Sequence, residues 1–343
     1  MSVTINHQTN HITATNGSVT TDGRTGSNLI INGAMQVAQR GTSNSSVSDG
    51  AFVIDRYSLR TSNNGWYAAE QSSDAPVGFS HSLKVTSNGA NTPASGAYIF
   101  FTQKIEGFNS AQLEFGTANA KTITISFYIK SSLTGTFAGA IRNSAQNRSY
   151  PYTFTISSAN TWEYKTVTVT GDTTGTWVGS TNGIGLDMIF NLGSGSSNSG
   201  TAGVWAGAGY LNATGAVNLV ETSGATLFMT GLQLEVGDTA TPFEHRSYGD
   251  ELARCQRYYF SSDEADSFIS AFDVTSGNTY YFTIINPVTM RSSPTITLSN
   301  ESNSSFDNIT VFRNYATRWG GYDVATASGR GYFQFEYVAD AEL

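Results

Sequence analysis

One stretch past the middle of the chain changes its pattern twice, and it limits what the whole chain can fold into. Residues 227–236 begin as an apolar run and then alternate apolar with polar side chains, which predicts a half-buried β-strand. Gly237-Asp238 ends that strand, and Thr241-Pro242 keeps the next residues extended. Ser247 then has the chemistry of a helix N-cap, with acidic residues following in the first turn. The stretch predicts a strand, an extended corner and a short helix, the one helix that we predict in the chain.

The rest of the chain indicates β-structure almost throughout. Only 13% of its 343 residues are charged, while Thr and aromatic residues favour strands and Gly, Asn and Ser favour turns. Apolar segments recur roughly every ten residues between such turns, a spacing typical of a β-sandwich. The strands predicted up to residue 246 are 29–39, 52–60, 67–71, 79–86, 98–105, 122–130, 136–142, 152–156, 163–170, 185–191 and 225–236. Those predicted beyond residue 260 are 267–274, 279–285, 295–298, 309–315 and 331–338.

The charge balance and the apolar content exclude two classes of partner. The formal net charge is −8, whereas nucleic acid binding requires a basic surface. No apolar run approaches the roughly 20 residues of a membrane span, and the first residues lack the pattern of a signal peptide. We therefore predict neither nucleic acid binding nor membrane insertion. The single cysteine, Cys255, is expected to pack as a small apolar group; the alternative is a reactive thiol.

Four segments resemble, in the same order, segments of bacteriophage tail-fibre and related virion proteins. They are NLIINGAMQVAQRG at 28–41, IDRY at 54–57, KTITISFYIK at 121–130 and GLQLEVGDTATPFEHRSYGDELARCQRYY at 231–259. The departures are mild, since Tyr57 and Tyr128 stand where Trp is expected. The resemblance implies a β-sandwich like those of carbohydrate-binding modules, carried on a phage particle. It does not imply a particular sugar.

We predict an all-β protein in four parts. Residues 1–27 form an N-terminal attachment arm that contacts other virion proteins, or else a flexible tail; residues 28–246 form a jelly-roll β-sandwich. Residues 247–260 form a helical connector, and residues 261–343 a smaller C-terminal β domain. Such a small domain buries little surface alone, so we expect a homo-oligomer, and the fibre-like resemblance favours a trimer. The Gly-rich loop at 193–224 is mobile, functional, or laid along a neighbouring subunit.

The sequence offers little to support catalysis. The four histidines are scattered, and no metalloprotease, Walker or nucleophile-elbow motif is present. Asp55, Glu163, Asp187 and Glu235 lie on or beside predicted strands, where hydrogen bonding is their expected role. A pair of carboxylates for glycoside cleavage is the alternative, because the fold sets their separation. We expect a protein that is not an enzyme.

Two sets of residues have the chemistry of metal ligands. His7 and His11 would share one face of an extended segment, so that a trimer could hold a metal between them. Asp263, Glu264 and Asp266 could supply oxygens to calcium. Two exposed histidines and a solvated acidic loop are the favoured interpretations, so we predict no metal and no other cofactor.

Aromatic residues are the candidates for binding, because Trp and Tyr offer flat apolar faces to sugar rings. The favoured pair flanks two glycines in the segment 319–322, which we expect to be a loop tip, with Arg318 and Asp323 hydrogen-bonding hydroxyls beside it. The alternative places Trp319 in a subunit interface. The candidates, each of which could instead pack in a core, are Trp66, Trp177, Trp205, Tyr210, Tyr315, Trp319 and Tyr322.

Three functions fit these observations. The favoured one is a virion adhesion protein, a short tail fibre on the outside of the particle that binds host cell-surface glycan without cleaving it. The second is a decoration or adaptor protein of the capsid or tail, which contacts only other virion proteins. The third is a glycan-degrading enzyme.

Overall fold

The computed structural model describes residues 3–6, 11–14, 28–262 and 267–343. In the predicted arm, β1 (Val3–Asn6) and β2 (His11–Ala14) pair in antiparallel fashion. The rest of the arm, including His7, lies outside the described residues, as do the side chain of His11 and the acidic residues Asp263, Glu264 and Asp266.

Two six-stranded antiparallel sheets form the larger of two β units. In chain order, its strands are β3 (Ser43–Asn44), β4 (Ala51–Phe52), β5 (Ser58–Thr61), β6 (Tyr67–Ser72), β7 (Ser82–Ser87), β8 (Tyr98–Glu106), β9 (Ile123–Ser131), β10 (Gly135–Arg142), β11 (Ser149–Ile156), β12 (Glu163–Val169), β13 (Ile184–Ser194), β14 (Ser199–Gly200), β15 (Asn212–Ala213) and β16 (Thr226–Val236). One sheet has the order β11-β10-β13-β8-β5-β4 and the other the order β12-β9-β16-β7-β6-β3. Strands β14 and β15 form a separate parallel pair. The predicted all-β class is confirmed.

Alternation along the strands builds the core between the two sheets. In β9 every second residue from Ile123 to Ile129 points inward, and the same holds for β13 from Leu186 to Leu192. Phe127 and Phe190 meet across the core with their ring centroids 5.2 Å apart. Burial of each such side chain contributes about 1.5–3 kcal/mol, so the inward-facing residues of these two strands favour the packing of the sheets.

The helical segments are short, apart from one. The bounds are α1 (Gly107–Ser110) and α2 (Tyr248–Gln256), with 3₁₀ turns at Ala111–Leu113, Ser196–Asn198 and Leu219–Glu221. The hydroxyl of Ser247 accepts a hydrogen bond from the Asp250 amide at 3.2 Å, so the predicted N-cap is confirmed. Cys255 on α2 is fully buried, and burial raises the pKa of its thiol well above its ordinary value. No helix in the described part of the chain is long and apolar enough to cross a membrane.

The predicted first strand, 29–39, is wrong. The segment is buried but irregular, because Asn32 and Met35 take positive φ values of 60° and 56°, which a strand does not allow. Side chains make the hydrogen bonds to this backbone that a neighbouring strand would otherwise make. Gln103 bonds both the amide and the carbonyl of Ile31 at 2.8 and 2.7 Å, and Arg246 donates to the carbonyl of Ile30 at 2.8 Å. A run of apolar residues does not reveal that its backbone bonds to side chains instead of to a neighbouring strand.

The segments that carry the family resemblance meet inside this network. The amide side chain of Asn28 donates to the Leu232 carbonyl at 3.2 Å and accepts from the Leu234 amide at 3.1 Å. A Cβ on Gly33 would lie 2.2 Å from the Leu232 carbonyl oxygen, so only glycine allows this close approach. Buried polar groups must be hydrogen-bonded, and these residues satisfy one another. The first and last of the four segments are therefore bonded to each other inside the larger unit.

The smaller unit is a second pair of facing sheets. Its strands are β17 (Tyr259–Ser261), β18 (Phe268–Val274), β19 (Thr279–Ile285), β20 (Thr295–Ser299), β21 (Thr310–Tyr315), β22 (Arg318–Val324) and β23 (Gly329–Asp340). Strand β23 pairs with β17, β18 and β20, while β19-β22-β21 form the facing sheet. Tyr259 and Phe260, which we assigned to the connector, belong to β17. Strand β22 replaces the loop that we predicted there.

Arginines join the two units. Arg257 donates to both oxygens of Glu106 at 2.6 and 3.0 Å, and the Tyr258 hydroxyl donates to the same carboxylate at 2.8 Å. Arg291 donates to the Ala341 carbonyl at 2.7 Å and to the Asn182 carbonyl at 2.8 Å. The bond from Arg291 to Asn182 crosses directly from the smaller unit to the larger one. Those from Arg257 and Tyr258 join the connector, just before β17, to the end of β8 in the larger unit.

Candidate functional site

The outer face of the sheet β19-β22-β21 carries the most exposed group of aromatic residues in the smaller unit. Alternation decides which side chains reach it, since neighbours along a strand point to opposite faces. On β19, Phe282 points into the core, while Tyr281 points outward and is 65% exposed. Tyr281 is directly opposite Tyr322 on β22. The two tyrosines therefore lie side by side on the outer face.

Glycine forms the floor at the centre of this face. Gly320 stands between Thr283 on one neighbouring strand and Phe312 on the other. Because Gly320 has no side chain, the middle of the sheet is open, and a cavity of about 650 Å³ lies above it. That volume is within the usual range for ligand sites. We call this cavity the aromatic trough; the outward residues that line it are Tyr281, Thr283, Phe312, Arg313, Tyr315, Arg318 and Gly320.

Three rings form one end of the aromatic trough. The ring centroids of Tyr281, Phe312 and Tyr322 are 5.5 Å apart in each of the three pairs. Phe312 and Tyr322 meet edge to face, at an interplanar angle of 81°, a favoured geometry for aromatic pairs. The rings support one another, and the exposed Tyr281 offers a face held in a fixed direction.

Two arginines line the aromatic trough, Arg318 at the end away from the tyrosine pair and Arg313 beside the Phe312 ring. A bulge between Phe312 and Tyr315 interrupts the pairing of β21 with β22, and Arg313 within it has a positive φ of 50°. Bulges often redirect a side chain beside a functional site, and here the guanidinium of Arg313 lies 5.3 Å from the Phe312 ring centroid. Arg318 stands opposite Tyr315 and Ile285. Within the described residues, neither arginine has a carboxylate partner.

This arrangement suits a flat, hydroxylated ligand. Aromatic faces stack on the C–H face of a ring, while the hydroxyls of Thr283, Tyr281 and Tyr315 are able to bond its polar edge. The guanidinium groups supply further donors in a fixed planar geometry. Ligand sites are usually lined by apolar side chains with a small number of polar groups among them.

The structure corrects one predicted binding residue, Trp319, and shows the bonds of another, Asp323. Trp319 is fully buried, with its ring centroid 5.7 Å from Phe282 and 5.1 Å from Tyr337, because the segment is a strand and turns this residue inward. The carboxylate of Asp323 accepts from the amides of Asn308 and Val324, so it is engaged within its own unit. Trp319 is therefore not the sugar contact that we expected, while Asp323 is half-buried and already bonded within its own unit.

Two other predicted residues do lie at the aromatic trough. The structure also places there three residues that the sequence analysis did not name. Tyr315 lines the aromatic trough, and Tyr322 contacts two of the lining rings. Tyr281, Phe312 and Arg313 were missed. A signal for the first was present, because the segment TYYFTII at 279–285 has aromatic residues on both faces of a strand, and only one face can be the core.

Trp177 and Trp205 meet at one end of the larger unit. Their ring centroids are 5.5 Å apart, and Phe115 lies 5.0 and 5.7 Å from them. The indole N–H groups are used inside the protein, that of Trp177 by Asp172 at 3.2 Å and that of Trp205 by Thr170 at 2.8 Å. Both side chains are half-buried. This cluster joins loops of the larger unit and leaves few polar atoms for a ligand.

Two further candidates also pack within the larger unit. Trp66 is half-buried against the core. Tyr210 is half-buried, and its ring covers Gly200, where a Cβ would lie 2.3 Å from it. The surrounding glycine-rich loop lies on its own sheet, where Leu211 packs against Phe100 and Ile189.

The four carboxylates considered for catalysis are engaged elsewhere. Asp187 accepts from Arg142 at 2.8 Å and from Thr102. Burial raises the pKa of Asp55, which accepts from the Gln39 amide at 3.0 Å. The hydrogen bond from Lys165 lowers the pKa of Glu163. Glu235 accepts from the hydroxyl and the amide of Thr241 at 2.7 and 2.8 Å. Among the described residues, no group of His, Cys, Asp or Glu side chains is placed to hold a metal ion.

No family model matches the chain, and no curated protein matches it. Among solved structures, the chain is similar to the enzymatically active domain of tailspike protein 4 of bacteriophage CBA120, with a TM-score of 0.36 and 16% sequence identity. That match covers 62% of this chain and only 22% of the tailspike chain.

Two similar structures are described as carbohydrate-binding modules. One, named CBM4, has a TM-score of 0.32 and 16% identity over 60% of this chain and 98% of its own. The other is the CBM22-1 xylan-binding domain from Paenibacillus barcinonensis, with a TM-score of 0.28 and 11% identity over 60% of this chain and 100% of its own. At identities and TM-scores this low, these likenesses say nothing about the ligand of this chain.

Proposed function

We propose that this chain is a non-catalytic adhesion protein of a phage virion, a short tail fibre that binds host cell-surface glycan through the aromatic trough. The observation that carries the proposal is the outer face of β19-β22-β21. It combines exposed rings, a glycine floor and hydrogen-bond donors above a rigid sheet.

Exposure separates this face from the other aromatic clusters. Tyr281 and Tyr315 are 65% and 51% exposed, whereas the tryptophans of the larger unit are half-buried and use their N–H groups internally. Contiguous exposed apolar surface on a soluble protein usually marks a place of interaction. The aromatic trough is therefore the best-supported site for a sugar in the described residues.

The composition of the aromatic trough favours binding without cleavage. Glycoside hydrolysis commonly uses two carboxyl groups, one on each side of the scissile bond. The described residues that line the aromatic trough include two arginines but no Asp or Glu. We propose that the glycan is held here and released unchanged.

The place of the protein on the particle is proposed from the resemblance of its segments to virion proteins. Residues 1–27 would attach the chain to other virion proteins, and the aromatic trough, in the smaller unit at the far end of the sequence, would face the host. A homotrimer would present three copies, and such multivalency strengthens weak sugar binding.

The test is binding of purified protein to host surface polysaccharide, with a reducing-sugar assay in parallel. We expect saturable binding and no release of reducing ends. Tyr281→Ala should weaken binding about tenfold, because a stacked ring contributes roughly 1 kcal/mol or more. Tyr248→Ala is the matched control, since Tyr248 is 58% exposed, close to the 65% of Tyr281, but lies on α2. Equal binding by the parent and Tyr281→Ala would remove the aromatic trough as the site, and reducing ends would indicate an enzyme.

One observation favours a second function, that of an adaptor between virion proteins. Ile285 lies on the same outer face and is 79% exposed, and an aliphatic side chain suits a protein partner better than a sugar. If Ile285→Ser dissociates the oligomer or prevents incorporation into particles while glycan binding is absent, the adaptor function is supported instead.

A further inference from the structure

The charges around the aromatic trough differ in sign from those of the chain as a whole. The chain carries a formal charge of −8, yet the charged side chains that line the aromatic trough are Arg313 and Arg318. Most other arginines of the described chain have carboxylate partners, as Arg148 has Asp172 at 2.6 Å. These two have none among the described residues, so a positive site stands on an acidic protein.

The spacing between the tyrosine pair and Arg318 along the sheet indicates how long the ligand must be. Tyr281 is opposite Tyr322, and two residues further along the strands Thr283 is opposite Gly320. Two residues beyond that, Ile285 is opposite Arg318. From the tyrosine pair to Arg318 the sheet extends about 13 Å. A ring stacked on the tyrosines and a charged group at Arg318 would therefore belong to neighbouring units of one chain.

We infer that the aromatic trough recognises an acidic glycan, whose carboxylate pairs with Arg318 while a neighbouring sugar ring stacks on Tyr281 and Arg313, beside the Phe312 ring, adds positive charge. The inference rests on the proposed function and names its ligand class. A planar carboxylate matches the two parallel donors of a guanidinium group. Both arginines are exposed, so an anion reaches them from solvent, and salt should screen the attraction.

The first test compares one polysaccharide in two forms. A hexuronate-containing polymer is measured by titration calorimetry beside its carboxyl-reduced form, in which each carboxylate has become a hydroxymethyl group. We expect the reduced form to bind about tenfold more weakly, the usual effect of losing hydrogen bonds to a charged group. Binding of the acidic form should weaken as salt is raised. Equal affinity for the two forms, without salt dependence, would overturn the inference.

The second test removes the cations. Arg318→Gln and Arg313→Gln should each weaken binding of the acidic polymer about fivefold, since exposed ion pairs are worth less than buried ones. They should weaken binding of the reduced polymer by a clearly smaller factor, because it offers the guanidinium groups only neutral hydroxyls. Arg330→Gln is the matched control, because Arg330 is 70% exposed and lies on β23 in the facing sheet. Arg318→Lys, which keeps the charge but loses the planar pair of donors, should recover part of the affinity.

The outcomes separate this inference from the proposed function. If Tyr281→Ala weakens binding of both polymers while the arginine variants bind as the parent does, glycan binding stands and the acidic class is wrong. If a phosphate-bearing glycan binds and the hexuronate polymer does not, the carboxylate assignment is overturned. If no variant of the aromatic trough alters binding of any polymer, both proposals fail.

Discussion

Trp319 and Tyr322 lie on the same strand, β22, and face opposite sides of its sheet. Trp319 packs against Phe282 in the core, while Tyr322 joins the exposed rings of the aromatic trough. A strand alternates its side chains, so residues an odd number of positions apart are separated by the sheet. We therefore expect the two aromatic residues to have different roles, Trp319 in stability and, under the proposed function, Tyr322 in binding.

Substitution should separate these two roles. Trp319→Ala removes a fully buried ring and should lower the free energy of unfolding by about 3–5 kcal/mol. Tyr322→Ala removes a half-buried ring and should cost about 1 kcal/mol, with a clear loss of glycan affinity. Denaturant unfolding and glycan titration measure the two effects. A stable Trp319→Ala protein without glycan binding would contradict the assignment.

The glycine floor offers a second prediction. A Cβ on Gly320 would lie 2.9 Å from the Phe282 carbonyl oxygen and 3.5 Å from the Phe312 ring. Gly320→Val should therefore destabilise the sheet by about 1–3 kcal/mol and fill the aromatic trough, so that glycan affinity falls about tenfold in protein that is still folded. Gly249→Ala, where the added carbon meets nothing within 4 Å, is the control and should bind normally. Normal binding by folded Gly320→Val would show that the ligand lies elsewhere.

The junction between the two units depends on Glu106, whose side chain is only 1% exposed and accepts from Arg257 and Tyr258. Arg257→Gln leaves this buried carboxylate without its cation and should cost roughly 2–3 kcal/mol. Calorimetry should then show a lower melting temperature, with the smaller unit unfolding separately from the larger. A single transition at the parent temperature would mean that the ion pair does not join the units.

A pH dependence follows from Asp172. Burial acts to raise the pKa of this carboxyl group, but the hydrogen bonds from Arg148, Thr174 and Trp177 outweigh it and hold the pKa below 3.8. A carboxylate with a lowered pKa in the folded state contributes stability above its unfolded pKa, and that contribution is lost as pH falls toward the folded value. Unfolding measured from about pH 5 down to about pH 2 should show less loss in Asp172→Asn than in the parent. Parallel curves would exclude this role.

Assembly is tested separately from binding. Light scattering should give three times the mass of one chain if the proposed trimer forms. Deletion of residues 1–27 should leave a folded, glycan-binding protein that no longer joins the particle, because these residues supply little apolar side chain for a core. A monomer mass at micromolar concentration would refute the trimer, and normal incorporation of the truncated protein would place attachment elsewhere.

The sequence predicts those secondary-structure elements whose formation depends mainly on neighbouring residues. Alternation predicted β9, β12 and β19 within a residue or two, because a strand with one buried face must alternate. The cap at Ser247 predicted the start of α2, because capping involves only neighbouring residues. Composition alone favoured an all-β protein.

Only the tertiary structure decided the rest, because it depends on which distant residues meet. The buried segment 29–39 resembles a strand in its sequence, but Gln103 and Arg246 take its backbone groups. The segment 318–324 resembles a loop, with two glycines in it, but pairing on both sides with β19 and β21 makes it a central strand. That pairing turns Trp319 inward and leaves Gly320 as the floor of the aromatic trough. Tyr281, Phe312 and Arg318 come from three strands, and a contact across strands has no signature in the sequence of any one of them.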